Sequence, residues 1–296
     1  MNNKIKQILN ENELLEFINN KQDEKFREYI DKNIFCDDNL SVYTQEDLLD
    51  LIQYLDLTSL NSTDNRETIS EFVKKSVFLF NNKAYYTGGI CCFSNFLNQI
   101  NQYKPSPQIK SVVVAAGFPH SQLPLSAKLE EIKYCIENGA DEIDICLNRG
   151  KFFEGKTEEI AQEISSIKEL INNSEKEILL KVILEVGELE EYFKIYQASL
   201  LCLESGADFI KTSTGKIQKG ADIYSSIVMM LALREYYRKS NLLKGIKIAG
   251  GIRTPLEAIQ YMNLYKLFIF SNMDNKLFRI GFSKLFEKLQ FEILKK

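Results

Sequence analysis

The sequence of 296 residues holds a single histidine, His120. That scarcity excludes a three-histidine zinc site and the HExxH arrangement. Ser-His-Asp chemistry would have to rest on His120 alone, which is read here as a loop residue outside the chemistry. None of the six cysteines (Cys36, Cys91, Cys92, Cys135, Cys146 and Cys202) forms a CxxC pair. Scattered thiols without metal spacing point to a reducing compartment. Proline and glycine are sparse, at 5 and 14 residues, which leaves no room for a long flexible linker. No apolar run approaches the length of about 18 residues that a membrane span needs. The opening stretch MNNKIKQILNENELLEFINNK lacks the continuous apolar segment of a secretory leader, so the expected location is the cytoplasm. A net charge of −4 provides no basic field, which argues against a nucleic-acid or acidic-membrane partner.

What is present is ordinary globular material, 45% hydrophobic and 26% charged, enough to bury a sizeable core. Short apolar runs alternate with longer amphipathic stretches from about residue 52. The runs Gln53–Leu57, Ala84–Cys92, Ser111–Ala116, Glu142–Cys146, Leu179–Glu185, Phe209–Lys211, Gly245–Ala249 and Lys266–Phe270 read as strands. Between them Ser126–Glu137, Glu158–Ile171, Glu188–Glu204, Ala221–Arg238 and Pro255–Tyr261 read as helices, followed by Phe282–Leu294. Strand–helix alternation of this length implies parallel β-α-β units, and eight of them suggest an α/β fold of the (β/α)8 TIM-barrel type. An open doubly wound sheet is the rival, but no GxGxxG follows the first strand. Helical periodicity at Ile5, Ile8, Leu9, Leu14, Leu15, Phe17 and Ile18 predicts an N-terminal helical extension over 1–50, with the barrel as catalytic domain over 51–296.

Several strands carry charge where a barrel strand should be apolar. Glu142 and Asp144 share one face of their strand, and Lys181 and Glu185 share a face of the next. Lys211 ends the sixth run, and Lys247 is flanked on its own face by Gly245 and Ala249. An unpaired buried charge costs several kcal/mol or more, so such groups are neutralised, paired or used. A salt-bridged core would account for any one of them. The set is different: three lysines and Asp144 come from four strands, which is how active sites of this fold are assembled. An amine nucleophile must shed its proton, and a neighbouring ammonium favours that because like charges resist sharing a low-dielectric site. Lys247 beside Lys211 would supply this effect, leading to a Schiff base with a carbonyl substrate. Asp144 would move the protons.

The last third adds Thr212-Ser-Thr214-Gly215-Lys216, Gly250-Gly251-Ile-Arg253 and Arg279-Ile-Gly281-Phe-Ser283-Lys284 after three successive runs. Each alone reads as a tight turn. Together, near the usual phosphate site of such barrels, they favour a phosphate group.

FIKTSTGK (209–216) resembles the Schiff-base motif of the deoxyribose-phosphate aldolase family. LDLTSL (55–60), GADEIDICLNR (139–149), LKVILEVGEL (180–189), KIAGGIRT (247–254) and LFRIGFS (277–283) resemble other segments of that family in the same order. The resemblance covers about residues 50 to 290. It implies that Lys211 is the Schiff-base lysine, Lys247 the lysine that tunes it and Asp144 the proton-relay acid. It further implies that Lys181, Asp56, Cys91, Thr214, Gly215, Lys216, Gly250, Gly251, Gly281 and Ser283 bind substrate. The implied reaction is reversible cleavage of 2-deoxy-D-ribose 5-phosphate to acetaldehyde and D-glyceraldehyde 3-phosphate, in deoxynucleoside catabolism. It needs no cofactor and no metal. The partner is a small phosphorylated sugar, with a homodimer kept open as the assembly. The chain departs from the family pattern at Ile248, where KPAGG has proline, and at Phe93-Ser94, where a Tyr-Pro is frequent. Lys284 replaces a second serine, and no tyrosine follows Tyr265. A related Schiff-base lyase acting on another sugar phosphate, and a catalytically silent phosphate-binding barrel, are the competing expectations.

Overall fold

The alternating pattern folds into eight parallel strands that close into a barrel. The computed structural model describes residues 10–35, 40–269, 273–283 and 285–295. The barrel strands are β1 (Leu55–Thr58), β4 (Gly89–Phe93), β5 (Lys110–Val114), β6 (Glu142–Cys146), β7 (Leu179–Ile183), β8 (Phe209–Lys211), β9 (Gly245–Ala249) and β10 (Phe278–Phe282). Each pairs with the next in this order, and β10 closes on β1. A separate antiparallel hairpin, β2 (Val77–Phe80) and β3 (Lys83–Tyr86), is inserted between β1 and β4. Residues of one parity along each strand, such as Ile143, Ile145, Val182, Ile246 and Ile280, are buried under the surrounding helices and form the main core. The opposite parity points into the barrel, which is where the charges are.

The expected eighth strand is corrected. Lys266–Phe268 completes a helix, Pro255–Phe268, and the eighth barrel strand is Phe278–Phe282; Phe270 lies outside the described residues. The helix starts on a reciprocal capping box between Thr254 and Glu257 with Pro255 in its first turn. Its residues Tyr261, Met262, Leu264, Tyr265, Leu267 and Phe268 are all buried. A helix buried on nearly every face loses its 3.6-residue signature and mimics a continuous apolar strand. The true strand hid behind Arg279, and the segment from Arg279 was read as the start of the last helix. That helix is Leu285–Lys295.

The run Ala84–Cys92 divides between the hairpin and β4, and the helix expected over Glu188–Glu204 is broken into Val186–Leu189 and Tyr192–Glu204. Strand β7 ends at Ile183, so Glu185 does not continue the face of Lys181. It adopts a left-handed backbone, φ +59°, and its side chain turns elsewhere.

Among the described residues three α-helices precede β1: Glu11–Asn19, Asp23–Asn33 and Gln45–Leu51. Leu14, Ile18, Phe26 and Ile30 bury the apolar faces of the first two. They dock on the outside of the barrel through polar contacts. Arg27 donates to the Tyr192 hydroxyl at 2.6 Å, the Tyr192 amide donates to Asp23 at 3.1 Å, and Arg234 pairs with Glu11 at 2.7 Å. Ile5, Ile8, Leu9 and Cys36 lie outside the described residues.

Candidate active site

Six strands contribute charge to the barrel interior. Lys211 Nζ donates to Asp144 Oδ2 at 2.8 Å, and Lys247 Nζ donates to the same oxygen at 2.9 Å. Lys181 Nζ occupies the other oxygen, Oδ1, at 3.0 Å. The neighbouring register explains this convergence: Asp144 lies opposite Lys181 on β7, and Lys211 lies opposite Lys247 on β9. The structure therefore brings together the three lysines and the acid that the sequence singled out.

It also adds two members that received no role. Lys181 pairs with Glu142, and Glu142 accepts from Arg279 Nη2 at 2.7 Å. Arg279 Nη1 lies 3.2 Å from Asp56 Oδ1, and Asp56 Oδ2 lies 2.6 Å from Lys247 Nζ. The contacts form a closed ring of alternating sign: Asp144, Lys181, Glu142, Arg279, Asp56, Lys247 and back to Asp144. Lys211 hangs from this ring at Asp144. Glu142 could be anticipated from its parity with Asp144. Arg279 could not, because its segment reads as the start of the last helix and not as a strand.

Burial sets the stakes, since Asp56, Asp144, Lys181 and Arg279 are wholly enclosed and Lys211 keeps 2% exposure. Burial by itself would raise the Asp144 carboxyl. The ammonium groups of Lys181, Lys211 and Lys247 overcome it and hold Asp144 well below the usual carboxylate range. Asp56 is likewise lowered: burial opposes ionisation, and Arg279 and Lys247 outweigh it. Burial alone would lower Lys247, but Asp144 and Asp56 push it well above the ordinary lysine value. Lys247 is thus a firm cation. Cys91 is fully buried, which raises its thiol and keeps it from acting as a thiolate.

Above the ring a cleft of about 230 Å³ opens at the C-terminal ends of the strands. Lys211 lies at its floor. Thr214, Gly215, Lys216, Gly250, Gly251, Gly281 and Ser283 line it, while Asp56, Asp144, Lys181, Lys247 and Cys91 lie outside the lining. The residues proposed for a phosphate are therefore gathered in one cleft, beside Lys211. Lys284 lies outside the described residues.

Local contacts fix these loops. Thr212 Oγ1 donates to the Ala249 carbonyl at 2.9 Å and accepts from the Ala249 amide at 2.8 Å. This clamp holds the chain just after Lys247, at Ile248 and Ala249. Gly250 and Gly251 have φ of +85° and +86°, a region that side-chain-bearing residues rarely adopt. Gly281 leaves space for the Lys247 side chain, since a Cβ there would lie 3.2 Å from Lys247 Cε. Glu185 is buried and accepts from the Thr214 amide and hydroxyl, and Lys216 Nζ donates to the Leu60 carbonyl across the mouth.

A larger cavity of about 560 Å³ lies at the opposite end, against Gln53 and Gly88, but it contains none of the ring lysines. The smaller cleft is the one that reaches Lys211. Among the described residues no three His, Cys, Asp or Glu side chains gather as a metal site. His120 is exposed. No helix among the described residues is long and apolar enough to cross a membrane.

Residues 51–262 match the family described as DeoC/LacD family aldolase. Deoxyribose-phosphate aldolase of Mus musculus is 32% identical over 259 residues, spanning 83% of this chain and 80% of the relative. The Homo sapiens protein of the same name is equally similar over the same shares. The solved structure of QR15, an aldolase, superposes with a TM-score of 0.67 at 25% identity, covering 83% of this chain and 96% of the other.

Proposed function

The chain belongs to the DeoC/LacD aldolase family, and from that membership we propose that it cleaves 2-deoxy-D-ribose 5-phosphate reversibly through an imine on Lys211. The observation that carries the assignment is the shared oxygen: two lysine nitrogens meet on Asp144 Oδ2 directly below the cleft.

The charges of the ring explain why Lys211 is the nucleophile. Its three acids and three cations cancel. The Lys211 ammonium adds one positive charge to this balanced ring, and its loss leaves the ring neutral. Lys181 and Lys247 each bridge two carboxylates, whereas Lys211 has one and touches the cleft.

The Lys211 amine adds to C1 of the open-chain sugar, and loss of water gives an iminium. Removal of the C3 hydroxyl proton then breaks the C2–C3 bond. The electron pair moves into the iminium, giving a neutral enamine and glyceraldehyde 3-phosphate. Protonation at C2 and hydrolysis release acetaldehyde and restore the amine. Asp144 is the proton carrier, directly or through water. When the iminium becomes an enamine, Asp144 gains the proton, so an ion pair becomes a neutral pair. The buried site never gains net charge during the bond-breaking step.

Lys216, Gly250, Gly251 and Ser283 hold the phosphate in this reading. Residues 51–296 act as the catalytic domain, and 1–50 are an appended helical segment. The enzyme works in the reducing cytoplasm in deoxyribonucleotide catabolism, a setting supported by five buried free thiols among the described residues. A homodimer is the assembly to test by light scattering. Borohydride reduction with acetaldehyde, followed by peptide mapping, tests the mechanism. The adduct is expected on Lys211; an adduct on Lys247 or Lys181, or none, overturns the assignment.

A further inference from the structure

Arg279 and Glu142 take no part in bond making. They form the half of the ring away from Lys211, joined through Arg279 Nη2 and Glu142 Oε1 at 2.7 Å. Neither lines the cleft above Lys211. Stability gives no reason to keep them ionic, because well-packed apolar side chains often replace a buried ion pair without loss.

Their charges, however, enter the balance at Lys211. Arg279 faces Asp56 on β1, Glu142 and Asp144 on β6 and, by register, Lys247 on β9, while its Nε donates to the Asn275 carbonyl. Lys211 faces Asp144 and Cys146 on β6, Cys91 on β4 and Lys247 on β9. Lys181 on β7 shares Asp144 with it, and β5 contributes the apolar Val112 and Val114. Those two thiols are uncharged, while Glu185 and Arg149 act on Cys146 from outside the ring; both are the same in every variant below, so differences between variants report the ring.

We propose that Arg279 and Glu142 are positioning residues that set, through their opposite charges, the pH range in which Lys211 forms its imine. This rests on the assignment of Lys211 as the imine lysine. Deleting the Arg279 charge leaves the ring with one negative charge in excess, which the Lys211 ammonium then balances. The free amine becomes scarcer at a given pH. Deleting the Glu142 charge leaves the ring positive, and a second positive charge on Lys211 is disfavoured. The free amine becomes more abundant. The two effects are equal in origin and opposite in sign.

The test is the pH dependence of acetaldehyde adduct formation on Lys211, trapped with cyanoborohydride and read by mass spectrometry on the full chain. In Arg279→Met the acid limb of the profile moves up by about one pH unit, or about tenfold slower trapping at a fixed pH below it. In Glu142→Gln it moves down by a similar amount. The double variant returns it to the native position, and Arg279→Lys, which keeps the charge, leaves it there. A purely structural pair would weaken folding in every variant without opposite displacements. Limbs that stay in place, or move the same way in both single variants, overturn the proposal. Should Arg279→Met fail to fold, the near-isosteric Glu142→Gln decides alone, and an unmoved or raised limb refutes the idea. Absence of a Lys211 adduct in the unaltered protein overturns the underlying mechanism and this proposal with it. An adduct with unmoved limbs overturns only the proposal.

Discussion

Asp144→Asn separates the two roles that the geometry gives this carboxylate. The substitution keeps the shape and removes the charge that Lys181, Lys211 and Lys247 share at 3.0, 2.8 and 2.9 Å. Breaking a buried ion set by neutralising one partner costs about 3–5 kcal/mol, a large share of the ~5–15 kcal/mol that holds a domain folded. The variant relieves that cost most cheaply by releasing a proton from the lysine nearest the cleft. Imine trapping on Lys211 is therefore expected to persist and to extend to lower pH than in the native protein. Turnover is expected to fail, because the carrier between the C3 hydroxyl and C2 is gone. General acid–base catalysis contributes about 10²- to 10⁴-fold, and the loss in kcat should fall in that range. The variant also changes acid stability. Folding holds Asp144 and Asp56 below the ordinary carboxylate value. Their ion pairs therefore stabilise the fold fully above about pH 4 and lose that contribution as the pH falls towards the lower folded values. Asp144→Asn should make the acid side of a denaturation-versus-pH curve shallower. The assays are borohydride trapping, steady-state kinetics and denaturant titration between acid and neutral pH. Native kcat in Asp144→Asn, or loss of the adduct in a folded variant, would refute the reasoning.

Lys247→Leu removes a firm cation that shares one oxygen with Lys211, at a separation of roughly 5 Å for two hydrogen bonds meeting at one atom. Coulomb repulsion of about 3 kcal/mol at an effective dielectric near 20 disappears, so the acid limb of imine formation should move up by about two pH units; an unchanged profile makes Lys247 a structural charge only. Lys216→Ala should weaken the preference for deoxyribose 5-phosphate over deoxyribose, since a charge-assisted contact contributes about 1.5–3 kcal/mol, or roughly 10- to 100-fold in relative kcat/KM. Equal efficiency of the unaltered protein on both sugars would show that the glycine-lined cleft has been misread.

Sequence alone determined the architecture and the reactive set. Strand–helix alternation gave the barrel because parallel strands need crossovers and a closed barrel buries every strand. Lys181, Lys211, Lys247 and Asp144 stood out because charge inside an apolar strand demands a partner or a use. Three things were decided only by tertiary structure. The eighth strand was misplaced because the helix Pro255–Phe268 is buried on nearly all sides, which erases the period that distinguishes helix from strand. Arg279 consequently reads as the start of the last helix instead of a strand residue. Only the closure of β10 on β1 and β9 brings it against Asp56 and Glu142. The turn at Glu185 likewise follows from a left-handed backbone that parity along a strand cannot predict. Local pattern can name the charged residues of a strand. Which opposite charges meet depends on the stagger between strands far apart in the chain, and here that stagger makes a neutral ring with one lysine left over.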